Sequence, residues 1–250
     1  MGKLSLLIPS YNDRRILEIL SELNGYPRHD LEVVIQDGGS PADLVSEIRF
    51  FLKSTDKLII EKDDGIFDAI NKGISNCSND YILTIGTDDF IEIHSLENIL
   101  DALVKDSKKV FFVPVRMVSP KSLKLIRYWP IRKFSRVNIL FGAQYPHFGL
   151  IAHKEIYNAL KFSTTNKINA DYEFFYDLSK LLIKSDIGYI QNCSVMMRLG
   201  GTSTKDLSSI LSHQLIIISF AIRRNPLLLI GILFKPLYKA QELVLGAFKR

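Results

Sequence analysis

The sequence predicts an α/β protein, a mostly parallel sheet flanked by helices, with a helical extension at its C-terminus. Three observations predict it. Short apolar runs alternate with helix-period segments from Leu4 to Val104, as in chains of βαβ units. The runs are apolar throughout rather than alternating, as expected of strands covered on both faces. Each run ends in a polar loop rich in Asp, Ser or Gly, where sheets of this kind bind ligands.

Leu4 to Ile8 forms the first expected strand, followed by the loop Pro9 to Asp13 and a helix from Arg14 to Leu23 with apolar residues at Ile16, Leu17, Leu20 and Leu23. Glu32 to Gln36 is the second strand and ends in Asp37-Gly38-Gly39-Ser40. A second helix is expected over Ala42 to Leu52, a third strand over Leu58 to Ile60, and a third helix over Ile66 to Ile74. Tyr81 to Ile85 is a β-branched, apolar fourth strand that delivers Asp88 and Asp89, and His94 to Val104 reads as the helix after it. Four polar loops therefore converge on one crevice.

Beyond Asp89 the pattern loosens. Val110 to Val115 reads as one more strand. Lys121, Lys124, Arg127, Arg132, Lys133 and Arg136 then occur among Tyr128, Trp129 and Phe134, either a solvated basic loop with its aromatics turned inward or a loop that contacts phosphates. Ala170 to Leu182 has helical periodicity through Phe174, Phe175, Leu178, Leu181 and Leu182.

At 250 residues the chain fits one large domain, or one domain with a smaller extension. Cys77 and Cys193 have neither metal-cluster spacing nor the density of a disulfide scaffold, so a reducing cytoplasmic setting is expected. Leu4 to Ile8 is too short an apolar run for a signal peptide and is ended by Pro9. The net charge is +5, yet Arg198 to Arg250 holds eight Lys or Arg against two Asp or Glu, a balance of +6 that leaves −1 for the rest. A uniformly basic chain would suggest nucleic acid. A near-neutral body with a basic, Leu- and Ile-rich tail suggests an anionic membrane surface instead.

Asp88 and Asp89 carry the strongest chemical signal. Two acids at the carboxyl end of a buried strand suit a hard divalent ion, Mn²⁺ or Mg²⁺, which binds through one or two carboxylates plus substrate phosphates. Taken alone, the pair would more often serve a turn or a helix cap.

The chain resembles the family 2 glycosyltransferases of the GT-A fold, with a Rossmann-like sheet, in the branch that builds exopolysaccharide, capsule or O-antigen. The resemblance rests on Ser5 to Asn12 (SLLIPSYN), Val33 to Ser40 (VVIQDGGS), Asp63 to Gly73 (DDGIFDAINKG), Thr87 to Asp89 (TDD) and Ala170 to Phe174 (ADYEF), in the family's order. It implies a nucleotide-sugar-binding half over residues 1–112, an acceptor-binding and catalytic-base half over 113–203, and a basic apolar helical extension over 204–250. Pro9, Ser10 and Tyr11 would hold the nucleotide base and ribose, Asp37 a base N–H as expected for uracil, and Asp63 and Gly65 would border the nucleotide. Asp88 would lie toward ribose or metal, with Asp89 the stronger metal ligand. The family often has a further acid two positions before Asp88, and this sequence has Gly86 there. Asp171 matches the general base, His147 a substrate contact or a buried structural histidine, and Arg198 a diphosphate contact or the edge of a Gly-Gly turn.

The implied reaction is metal-dependent, inverting transfer from a nucleoside-diphosphate sugar, UDP-linked, to a glycan or lipid-linked acceptor, by an enzyme peripheral on the cytoplasmic face of the cell membrane and capable of homo-oligomerisation. Ile210 to Ile222 and Leu227 to Phe234 are apolar but interrupted, and neither reaches the roughly 18 to 20 residues of a span. They fit a surface-lying pair with Lys235, Lys239, Lys249 and Arg250 near head groups, or a helical hairpin packed on the core. Two alternative functions are a sugar-phosphate nucleotidyltransferase, whose first loop would be glycine-rich, unlike Pro9 to Asp13, and a non-catalytic nucleotide-sugar-binding scaffold.

Overall fold

The structure, a computed structural model, describes residues 3–27, 29–166, 170–199 and 218–248. Its main sheet has seven strands in the order β10-β6-β9-β4-β1-β2-β3. These are β1 (Leu4–Ser10), β2 (Leu31–Asp37), β3 (Lys57–Ile60), β4 (Tyr81–Thr84), β6 (Val110–Phe112), β9 (Leu150–His153) and β10 (Ile187–Tyr189). Only β9 runs antiparallel to its neighbours, so the expected mostly parallel sheet is present. A second sheet, β5-β11-β7-β8, pairs β5 (Phe90–Ile91), β7 (Val115–Val118), β8 (Leu125–Trp129) and β11 (Val195–Arg198).

Every residue of β1 and β2 is buried, and the two-residue side-chain period divides them between two cores. Leu7, Val34 and Ile82 face one layer, covered by α3 (Ile66–Asn76), α5 (Arg136–Leu140), α6 (Lys154–Ala159), α7 (Ala170–Leu181) and the C-terminal helices. Leu6, Ile8, Val33, Ile35 and Leu83 face the other, covered by α1 (Ile16–Asn24), α2 (Ala42–Phe51) and α4 (Ile93–Lys105). Helix α3 lies close on β1 because Gly73 has no side chain: a Cβ there would fall 2.3 Å from Leu7 Cδ1. Cys77 and Cys193 are free, and burial pushes both thiols up to about 12, which leaves them unreactive.

Two expectations for the middle of the chain are corrected. Val110 to Val115 is not one strand, because the chain leaves the main sheet after Phe112 and enters the second at Val115. Pro114 stands at the crossing, with no N–H to continue a ladder, and its carbonyl accepts from Val195 N at 3.1 Å. The basic segment is loop only in part: Lys121, Lys124, Arg132 and Lys133 lie in turns and loops, Arg127 lies in the strand β8, paired antiparallel to β7, and Arg136 begins α5. Arg127 lies over the Trp129 ring at 4.7 Å, Arg132 over Tyr238 at 4.8 Å, and burial draws both guanidinium pKa values down, Arg127 to about 10.

The C-terminal segment forms α8 (218–224) and α9 (Leu228–Phe248) with the turn at Pro226 between them. Phe220, Ala221 and Leu228 are buried in the α3–α7 core layer, and α9 packs along β8 and α5. The inner face of the extension is therefore core, as in the hairpin alternative. The start of the first apolar segment (210–217), Lys249 and Arg250, and the side chains of Lys235 and Lys239 lie outside the described residues. Among the described residues no helix is long and apolar enough to cross a membrane.

Candidate active site

Parallel strands deliver their carboxyl ends to one edge, and four loops meet there. At the end of β1, Asn12 adopts φ 49°, a left-handed conformation that asparagine tolerates, and its N–H donates to Ser40 Oγ at 2.8 Å. Gly38 N donates to Ser10 O at 2.8 Å. Gly38 has no room for a side chain: a Cβ would fall 2.6 Å from Asp63 Oδ2 and 3.2 Å from the Tyr11 ring. The expected nucleotide residues Ser10, Tyr11, Asp37 and Asp63 thus occupy one patch, with Tyr11 69% exposed above it. Ser10 Oγ is buried and meets no partner among the described residues.

Asp37 is fully buried. Its Oδ1 accepts from Gly39 N at 2.9 Å and Ser40 N at 2.6 Å, and its Oδ2 accepts from Ser40 Oγ at 2.6 Å. It builds the turn that positions Gly38 and Ser40, a task the sequence reading did not assign to it. Gly65 has φ 122°, and nothing lies within 4 Å of a Cβ placed on it. Its backbone conformation requires glycine, whereas the close approaches in this crevice are at Gly38 and Gly86.

Past β4, Asp88 and Asp89 turn back on Gly86. A Cβ at Gly86 would lie 2.9 Å from Asp89 Oδ2 and 3.1 Å from Asp88 Oδ1, so both carboxylates close on the position where the family often has a third acid. Asp89 is 2% exposed. It accepts from Gly86 N at 3.1 Å and Arg198 N at 3.3 Å, yet burial and the neighbouring Asp88 charge push its carboxyl up to about 7. A buried carboxylate short of positive charge fits a divalent cation. Among the described residues no three His, Cys, Asp or Glu form a metal cage, so such an ion would complete its shell with phosphate oxygens and water.

Asp13 and Arg15 belong to this cluster and were missing from the sequence-derived site. Asp13 Oδ2 accepts from Thr87 Oγ1 at 2.6 Å and from Arg15 Nη2 at 2.6 Å, and Arg15 Nη1 reaches Asp88 Oδ2 at 3.2 Å. Burial raises the Asp13 carboxyl, but the hydrogen bonds from Arg15 and Thr87 outweigh it and hold it at about 2. The available signal was an acid two residues before an arginine where a strand loop becomes a helix. The pairing with Thr87 spans 74 residues.

Arg198 touches the cluster through its backbone. Its guanidinium donates to Glu18 Oε2 on α1 at 2.7 Å and lies 5.5 Å from the Phe90 ring; the glycines after Leu199 lie outside the described residues.

The second half joins the first through aromatic rings. Phe67 of α3 stacks on Phe162 at 5.6 Å, and Phe162 on Phe174 of α7 at 4.3 Å. Asn71 clamps the same segment, donating to Phe162 O at 2.8 Å and accepting from Phe162 N at 3.0 Å. Asp171, one helical turn before Phe174, begins α7 on this seam, and its Oδ1 accepts from Tyr172 N at 2.8 Å. His147 borders the seam, 6.1 Å from Phe67 and 6.2 Å from Phe162. Burial draws its pKa down to about 4, and Nε2 has no partner among the described residues. It is neutral at physiological pH.

Comparison with known proteins agrees with this architecture. The profile described as Glycosyl transferase family 2 matches residues 5–167. An uncharacterised glycosyltransferase of Haemophilus influenzae is 25% identical over 208 residues, covering 81% of this chain and 82% of that protein. Chondroitin synthase of Escherichia coli is 26% identical over 71% of this chain, which spans only 26% of that enzyme. Among solved structures, S. aureus TarS 1-349 superposes with TM-score 0.60 at 18% identity, covering 78% of this chain and 60% of that one. Its complex with UDP-GlcNAc gives TM-score 0.62 at 16% identity, covering 88% of this chain and 66% of that one. At these identities the TarS likeness is one of fold.

Proposed function

The chain belongs to glycosyl transferase family 2, and on that footing we propose that it transfers a sugar from a UDP-linked donor to an acceptor hydroxyl with inversion. One observation carries the reading: Asp89 is buried at the end of β4 beside Asp88, with both carboxylates turned onto Gly86. That is the place for a diphosphate and its counter-ion at the carboxyl edge of a parallel sheet. The TarS relatives solved with UDP and UDP-GlcNAc support a uridine donor.

Pro9, Ser10 and Tyr11 hold base and ribose, Asp37 fixes the turn beneath them, and Asp63 borders the nucleotide. Asp88 and Asp89 would hold Mn²⁺ or Mg²⁺, which supplies Lewis-acid stabilisation of the charge on the departing diphosphate. Asp171 takes the proton of the acceptor hydroxyl while that oxygen bonds to the anomeric carbon and the bond to the diphosphate breaks, so the configuration inverts in one displacement. His147, buried and neutral beside Phe67 and Phe162, acts as the structural histidine of the seam. Arg198 holds Asp89 through its backbone N–H, and its guanidinium can turn from Glu18 toward the diphosphate.

The acceptor is a lipid-linked glycan in cell-surface polysaccharide synthesis, met by a peripheral enzyme on the inner face of the membrane. The basic charge of the C-terminal segment supports that location. A screen of nucleotide sugars with UDP release as the signal tests the activity, and excess EDTA is expected to abolish turnover. Tight UDP binding with no turnover on any donor and acceptor would favour a non-catalytic scaffold.

A further inference from the structure

We propose that α5 of the catalytic body and α9 form one membrane-facing surface, apolar at its centre and basic at its rim, that seats the enzyme on an anionic bilayer. The proposal rests on the membrane-held transferase above and adds that the body itself, not the tail alone, touches lipid.

The outer face of the C-terminal helices is unusual for a surface in water. Ile230, Leu233, Phe234, Leu237 and Val244 of α9 are between 38% and 77% exposed, and at 100° per residue they fall on one stripe, opposite the side that packs on β8. Contiguous exposed apolar patches mark a partner. The stripe continues onto the body, where Val137 and Phe141 beside α9 are 59% and 43% exposed. The Phe141 and Phe234 rings meet edge to face at 5.5 Å.

The junction is rigid because backbone meets backbone. A Cβ on Gly142 would lie 2.2 Å from Gly231 O, and one on Gly231 would lie 2.6 Å from Gly142 N. Two glycines therefore lock the end of α5 to α9, and the two apolar faces move as one.

Charge decides the occupant. Residues 218–250 contain Arg223, Arg224, Lys235, Lys239, Lys249 and Arg250 against the single acid Glu242. A second copy would oppose like charges, whereas anionic head groups complement them. Arg223 and Arg224 are exposed at the end of α8, next in the chain to the exposed Ile222 and close before Leu227; Arg223 donates to Ser219 Oγ at 2.8 Å and Arg224 lies 3.9 Å from Asp177 Oδ2. With no described helix able to span a membrane, the surface lies in the interface plane.

The test is flotation of the full chain on phosphatidylglycerol-containing and pure phosphatidylcholine liposomes, at low and high salt. Wild type is expected to float on the anionic liposomes and to weaken in high salt. Val137→Ser with Phe141→Ser should lower that binding by roughly tenfold, with the melting temperature and solution mass unchanged. Phe50→Ser removes a more exposed ring from α2, on the other face of the sheet, and should float like wild type. Undiminished flotation of the α5 double variant would overturn the composite surface while leaving a tail-held enzyme standing. Failure of wild type to float would overturn both. A dimeric wild type made monomeric by the α5 variant would assign the face to a second copy and overturn the lipid seat.

Discussion

At the residue scale, the metal role proposed for Asp89 comes with a cost to stability. Its carboxyl sits at about 7 in the folded chain against an ordinary 3.8. Between those values the folded state keeps a proton that the unfolded state has released, so stability contributed at Asp89 falls as pH rises from 4 to 7. Asp89→Asn removes the buried charge. In metal-free protein the variant is therefore expected to melt higher than wild type at pH 8 and to approach it near pH 4, while losing Mn²⁺ binding. Thermal unfolding at both pH values, with titration of Mn²⁺, checks each part. Asp171→Asn is expected to bind UDP normally and lose about 10² to 10⁴ in transfer rate, and a variant within tenfold of wild type would place the base elsewhere. The place of Asp171 in the first turn of a helix was legible from the helical period and the family motif. Asp13 and Arg15 were not, because their significance lies in contacts with Thr87 and Asp88, far away in sequence.

At the element scale, α3 and α9 carry unequal information in the sequence. The segment Asp63 to Gly73 reads as a donor-side motif, yet in the fold its Phe67 and Asn71 anchor the chain around Phe162. Asn71→Ala removes both side-chain hydrogen bonds to that backbone and should cost about 1 to 3 kcal/mol. It should lower kcat more than UDP affinity, because the clamp holds the segment that leads to Asp171, the proposed base; calorimetry beside steady-state kinetics separates the two. Gly231→Ala places a methyl against the Gly142 backbone, which cannot yield as a side chain would. A loss of about 1 to 3 kcal/mol is expected, with hydrogen exchange rising first in α9 and α5. The glycine was visible in the sequence, but the helix it faces was not.

At the scale of the whole molecule, the C-terminal helices pack on the body with one face and leave the other apolar and exposed. Removing residues 222–250 strips Leu228 from the core and uncovers β8. The truncated protein is therefore expected to melt well below the full chain, and loss of liposome binding on truncation would not by itself identify a membrane seat. Substitutions on the outer face avoid that confusion. The second sheet has a similar role, since β11 returns beside β5 and brings Arg198 N to Asp89.

The sequence by itself determined the parallel sheet as far as β4, the helices between its strands, the polar loops at their carboxyl ends, and the family whose motifs occupy them. Those features are local: strand burial, helical period and loop chemistry are each written within a dozen residues. Tertiary structure decided the rest. It broke the run at Pro114 between two sheets, made a strand of Leu125 to Trp129 within the basic segment, gave Asp37 to its own turn, and coupled Asp13, Arg15 and Thr87 to Asp88. It also left one face of α9 apolar and open. Each of these depends on which distant segments become neighbours, and a one-dimensional pattern carries no record of the pairing energies that select them.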